Sequence, residues 1–254
     1  MFLLLANGPA ATPAIGDVRS SVAEGRVKSG TGFFVAPDGL LVTSAHVVAG
    51  CSGITLWPAI GAERTGRIVA LEPALDLALL SSEGEVPRYA AGSGQFAAPR
   101  PGDRVATIGF GAQPSRPREA KVTSGSLIGD VPDAAGNRLL LIRARLREGN
   151  SGGPVIDARG SLIGVVRGRD TERPEVGIAT PAEAIDWFLQ RHGIAPASTA
   201  PGAEQLQDPA DLLRAISVLV QCAPRYHASM PGRQCLLGTR AAQVPQGDRP
   251  VLRL

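Results

Sequence analysis

The chain has 254 residues, 44% of them hydrophobic, and a formal net charge of +3. That is enough apolar material to bury a sizeable core in one domain or two joined halves, and it excludes a disordered or fibrous chain. Lys28 and Lys121 are the only lysines and the arginines are scattered, with no basic stripe interleaved with aromatics, which argues against nucleic acid as a partner. No run approaches the roughly 20 apolar residues a membrane span needs, so a soluble protein is expected.

The chain opens on the apolar Met1-Phe2-Leu3-Leu4-Leu5-Ala6, which reads either as the remnant of a signal peptide or as a disordered N-terminus. From residue 27 to 179, short apolar runs are broken by Gly, Pro and Asp with little helical periodicity, the pattern of many short antiparallel strands. Strands are predicted at 32–35, 40–44, 65–71, 77–81, 104–109, 121–128, 139–146, 155–156, 162–167 and 176–179. An Ala/Gly/Pro-rich stretch at 90–101 divides them into two groups, and the fold class is all-β. Thr180-Pro181-Ala182-Glu183 then reads as a capping box opening a helix over 181–192, and 195–207 as a Pro-rich linker. Asp208-Pro209 opens a second amphipathic helix over 208–220, with Leu212, Leu213, Ile216, Leu219 and Val220 at helical spacing. That helix is expected to pack on the strands as an appendage, with contact to a partner as the other reading. Cys222 and Cys235 enclose a short loop and are the pair expected to bridge, leaving Cys51 over. A bridge would place the protein in an oxidising compartment.

Three places carry chemistry. Ser151 stands in Gly149-Asn150-Ser151-Gly152-Gly153-Pro154, where glycines permit unusual backbone geometry and let a carbonyl approach main-chain N–H groups. The N–H groups of Gly149 and Ser151 would form an oxyanion hole. His46 follows the apolar run Leu41-Val42-Thr43-Ser44-Ala45, where a strand gives way to a turn or short helix, while His192 and His227 have plainer positions. Asp76 precedes Leu77-Ala78-Leu79-Leu80, a buried-strand pattern, and could accept from an imidazole N–H. A hydroxyl becomes a nucleophile when a base takes its proton and a third group orients that base, so the three together outweigh the bland reading of each alone. No His/Glu/Cys cluster has metal-ligand spacing, and no cofactor is expected.

The chain resembles the chymotrypsin-fold serine peptidases, and among them the bacterial HtrA/Deg group. The resemblance is carried by Ser29-Gly30-Thr31-Gly32-Phe33-Phe34-Val35, Asp38 to Val48, Asp76-Leu77-Ala78-Leu79, Gly102-Asp103, Val122-Thr123-Ser124-Gly125, the Ser151 motif, Gly164-Val165-Val166 and Gly177-Ile178-Ala179-Thr180-Pro181. It implies two six-stranded antiparallel β-barrels at about 26–90 and 100–180, within a peptidase domain of 26–194, preceded by an extension at 1–25 and followed by a helical appendage at 208–254. It further implies His46 and Asp76 on the first barrel, Ser151 on the second, a protein or peptide substrate cleaved through an acyl-enzyme, and a periplasmic or secreted location. Asn150 stands where digestive relatives carry an aspartate that pairs with a newly cut amino terminus, so no activation by such cleavage is expected. The sixty or so residues after Gly193 are too few for the PDZ domain usual in HtrA proteases. On strand 142–146, Leu146 would join Val165 and Ile178 in an apolar pocket for small aliphatic side chains, whereas an inward Arg145 would favour acidic ones. Two other readings stay open: a protease-fold binding or regulatory module, and an esterase using the same triad.

Overall fold

The computed structural model describes residues 27–90, 99–111, 119–195 and 208–224. The first strands are β1 (Lys28–Phe34) and β2 (Leu40–Ser44), joined to the one-turn helix α1 (Ala45–Val48), then β3 (Cys51–Pro58), β4 (Arg64–Glu72) and β5 (Leu77–Ser82). A second series follows: β6 (Arg104–Phe110), β7 (Ala120–Pro132), β8 (Arg138–Arg143), β9 (Pro154–Asp157), β10 (Leu162–Arg169) and β11 (Val176–Pro181). Helix α2 (Ala182–Arg191), helix α3 (Pro209–Ile216) and a final strand β12 (Ser217–Pro224) complete the described chain.

The strands close into two six-stranded antiparallel barrels, ordered β1-β12-β3-β4-β5-β2 and β10-β11-β8-β7-β6-β9. The second barrel is contiguous in sequence; the first is not. Its sixth strand is β12, which lies between β1 (Lys28↔Cys222 to Phe33↔Ser217) and β3 (Val218↔Pro58 to Pro224↔Cys51). The helix expected over 208–220 is therefore half helix and half barrel strand, and the tail as far as Pro224 is no appendage. Asp208 caps α3 by accepting from the Ala210 N–H at 2.9 Å, with Pro209 at the first turn, and helical dihedrals stop before Ser217. From there Val218, Leu219 and Val220 are buried on both faces of the sheet. A short apolar run buried on both faces has no period-two signal and fits a helical pattern equally well, which is why spacing alone misassigns it.

The disulfide is also not the expected one: Cys222 bridges Cys51, from neighbouring strands β12 and β3 with Cα atoms 5.3 Å apart. Cys235 lies outside the described residues. The bond spans 171 positions of sequence, so in the chain-entropy picture it stabilises by up to about 5 kcal/mol.

Each barrel has its own interior. Leu41, Leu56, Ala78, Leu80, Val218 and Val220 fill the first, and Leu140, Ile142, Leu146, Val155 and Val166 the second. A third cluster joins Phe33, Val42, Leu77 and Leu79 to Ile108, Ile156 and Val165, and is completed by Ile185 and Phe188 of α2 with Leu213 and Ile216 of α3. Strand β5 shows the logic: Ala78 and Leu80 point into the barrel while Leu77 and Leu79 point into the shared core, so all four are fully buried. Burying a leucine is worth roughly 1.5–3 kcal/mol. The two barrels are thus joined by a core, with His46 and Asp76 on the first barrel and Ser151 on the second.

Candidate active site

His46 sits on α1, directly after β2, and Asp76 in the turn that enters β5. β2 and β5 are paired, Ser44 opposite Leu77, which brings the two side chains together. The Asp76 carboxylate accepts from the His46 backbone N–H at 3.0 Å and from ring Nδ1 at 3.1 and 2.8 Å. The Asp76 carbonyl accepts from the Ala45 N–H at 3.1 Å. Nδ1 facing a carboxylate carries the proton, so Nε2 is left as an acceptor. Asp76 has φ of +53°, an uncommon conformation for a residue with a Cβ. It is held there by the turn bonds Leu75 N–H to Glu72 and Asp76 N–H to Pro73, and by Thr180 of the second barrel, whose hydroxyl donates to the Leu75 carbonyl at 2.9 Å.

Ser151 lies on the loop that enters β9 of the second barrel. Asn150 N–H donates to the Arg147 carbonyl and Gly153 N–H to the Asn150 carbonyl, and the Asn150 side-chain oxygen accepts from the Arg147 N–H at 2.9 Å. Gly149 and Gly152 take φ of +92° and +82° to make the loop close. Among the described residues, neither the Gly149 nor the Ser151 N–H has an intramolecular acceptor. Both expected oxyanion donors are therefore unspent. The Ser151 hydroxyl donates to the Arg167 carbonyl at 3.3 Å and makes no hydrogen bond to His46.

The first barrel grips this loop through residues the sequence reading did not select. Thr31 N–H donates to the Ser151 carbonyl at 2.8 Å, and the Thr31 hydroxyl donates to the Gly149 carbonyl at 2.6 Å while accepting from Phe110 N–H at 3.3 Å. Thr43 donates to the Thr31 carbonyl at 2.6 Å, and Ser44 to the Val166 carbonyl at 3.0 Å. A side chain at Gly152 would overlap the Thr31 carbonyl and the Thr43 hydroxyl, so the glycine is needed for close approach as well as for its φ. Thr31, Thr43 and Ser44 are fully buried. The available signal was a hydroxyl inside an apolar strand, since such a group needs a partner.

The expected apolar pocket is divided. Leu146 belongs to the interior of the second barrel, whereas Val165 points from the other side of β10 into the shared core, and Ile178 is half-buried on β11. The three do not line one wall, because irregular register along β10 and alternation along the strands set their faces apart. Leu146 instead packs onto Gly177, where its δ-methyl would lie 2.5 Å from any added Cβ. Arg145 is exposed and does not turn inward.

A model of the trypsin-like peptidase domain matches residues 30–165, which contain all three candidate residues. The serine protease Rv3671c of Mycobacterium tuberculosis (strain H37Rv) is 33% identical over 201 residues, 74% of this chain and 49% of the relative. The mitochondrial serine protease HTRA2 of Bos taurus is 30% identical over 174 residues, 65% of this chain and 36% of the relative. The chain thus spans half or less of these curated relatives. A crystal structure of the Rv3671c protease in an inactive form superposes with a TM-score of 0.56 at 28% identity, over 66% of this chain and 87% of that one. With paired barrels, the family match over more than half its length and HtrA-type relatives, the chain belongs to the trypsin-like peptidase domain family.

Proposed function

We propose that the chain is a serine endopeptidase in which His46, Asp76 and Ser151 act as base, orienting acid and nucleophile. The observation that supports this reading is the pairing of His46 Nδ1 with Asp76 at 2.8 and 3.1 Å, which orients the ring and, in the neutral imidazole, makes Nε2 the acceptor. For this the Ser151 hydroxyl must leave the Arg167 carbonyl, to which it donates at 3.3 Å, and give its proton to Nε2. His46 then takes its proton as Oγ attacks the substrate carbonyl, Asp76 stabilises the imidazolium, and the N–H groups of Gly149 and Ser151 receive the oxyanion. The same proton passes to the leaving amine, and water, deprotonated in turn by His46, releases the acid.

The Cys51–Cys222 bond supports a periplasmic or secreted location, since such bonds persist in oxidising compartments. The serine's bond to Arg167 favours one second reading, a resting enzyme whose nucleophile is released when substrate takes over that carbonyl.

A fluorophosphonate probe, which reacts with activated serines, tests the proposal. Labelling is expected in the parent and absent in Ser151→Ala. A folded parent that neither labels nor cleaves casein or peptide mixtures sinks it.

A further inference from the structure

Arg167 is the bulged residue of β10: the register with β11 shifts between Val166 and Gly168, leaving it unpaired. Its carbonyl receives the Ser151 hydroxyl at 3.3 Å, so its Cα lies within a few ångströms of the reacting oxygen. Its side chain is only 24% exposed, an uncommon degree of burial for an arginine. Among the described residues its one charge partner is Asp133, at 3.6 Å, too long for a hydrogen bond. That carboxylate is already occupied: Oδ1 accepts from the Ala135 and Asn137 N–H groups at 2.9 and 2.8 Å, and Oδ2 from the Asn137 side chain at 3.1 Å. Asp133 therefore steers the guanidinium without filling it, and five N–H donors in a planar fork stand partly desolvated on the residue whose carbonyl receives the Ser151 hydroxyl. A carboxylate is the group whose geometry and charge satisfy such a fork.

We propose that Arg167 reads the substrate: its guanidinium takes a carboxylate side chain, so peptides with Asp or Glu within two residues of the scissile bond are cut preferentially. The range follows from reach, because two residues of extended peptide span about 7 Å, comparable to an arginine side chain. This rests on the serine peptidase reading.

Fluorogenic peptides identical except for Glu or Gln at each of the two positions on either side of the scissile bond test it. At one position the Glu peptide is expected to show about tenfold higher kcat/KM, equivalent to roughly 1.4 kcal/mol. In Arg167→Gln the ratio falls to near one, and Arg167→Lys, which keeps the charge and loses the fork, retains part of it. A wild-type ratio near one at every position, or a ratio that survives in Arg167→Gln, overturns the proposal. Binding of the same peptide pair to Ser151→Ala, followed by fluorescence anisotropy, reads the preference without turnover. A chain that binds the Glu peptide selectively yet cleaves neither defeats the peptidase reading alone; one that cleaves both equally and binds both equally defeats this one alone.

Discussion

The two barrels are closed by different means. The second runs without interruption from Arg104 to Pro181 and carries Ser151 on its own loop. The first recruits β12 from beyond α2 and α3, staples it to β3 through Cys51–Cys222, and carries His46 and Asp76. The proposed nucleophile is thus encoded locally, while the proposed base and its orienting acid stand on a barrel that β12 completes. Thr31, Thr43, Ser44 and Thr180 then fasten one half to the other through buried hydroxyls. The lesson is that the His46–Asp76 pair depends on a barrel closed by a distant segment, whereas the serine loop belongs to a barrel continuous in sequence and is held in addition by Thr31.

The largest expected effect breaks the first-barrel half at its chemical centre. Asp76→Asn replaces an acceptor-only carboxylate by a group with a donor face, so His46 can adopt the tautomer with Nε2 protonated, and it loses the charge that stabilises the imidazolium. A fall in kcat/KM of about 10⁴, with labelling by fluorophosphonate slowed in proportion and the fold intact by circular dichroism, is expected. A loss below tenfold would remove Asp76 from the mechanism.

Next comes Cys222→Ser, which opens the staple and leaves every catalytic candidate in place. Removal of a bond closing so long a loop should cost on the order of 3 kcal/mol, or about 6–12 °C in Tm for a chain of this size. The comparison becomes sharp in amide hydrogen exchange: β1, β3, β12 and the α1 turn should lose protection while β6 to β11 keep theirs. Equal loss in both barrels would mean that the shared core, not the closing strand, sets local stability. Thr31→Val tests the tie between the barrels. It leaves the buried Gly149 carbonyl and Phe110 N–H without their partner, a cost of about 1–3 kcal/mol, and should lower kcat more than it raises KM because the oxyanion loop is loosened.

The sequence carried the second barrel better than the first, for physical reasons. Strands such as β6 and β10 are bounded by Gly, Pro and Asp turns, and the triad residues stand in motifs whose backbone demands are local. β3 escaped notice because Gly53 and Pro58 flank a short alternation of Ile54 and Leu56 inside with Thr55 and Trp57 outside. β12 was masked by a helix that caps correctly at Asp208 and by apolar residues that suit either period. Cysteine spacing pointed to the nearest partner, yet pairing depends on which strands become neighbours, here two positions 171 residues apart. The pocket residues separate on register: the irregularity between Leu162 and Gly164 changes which face Val165 takes, and no spacing rule announces one. The Thr31, Thr43 and Ser44 contacts needed the partner barrel to have a meaning at all.

The smallest expected effect lies wholly on the second barrel. Burial pushes the Asp133 carboxyl upward, but the hydrogen bonds from the Asn137 side chain and from the Asn137 and Ala135 N–H groups, with the nearby Arg167 charge, together outweigh it and hold the carboxyl below its ordinary value of 3.8. A carboxyl lowered in the folded state contributes stability that is present above the unfolded value and is lost as pH falls through the folded one. Wild type should therefore be more stable than Asp133→Asn near neutral pH, and the difference should shrink steadily from about pH 4 downward as both chains come to carry a neutral group. The first barrel supplies no term to this difference, so amide exchange should place the acid-induced loosening in the 133–137 turn and β10 and leave β12 unaffected. Thermal unfolding of the two chains between pH 3 and pH 7 gives the comparison; a Tm gap that stays constant over that range would mean the Asp133 charge contributes nothing to the fold.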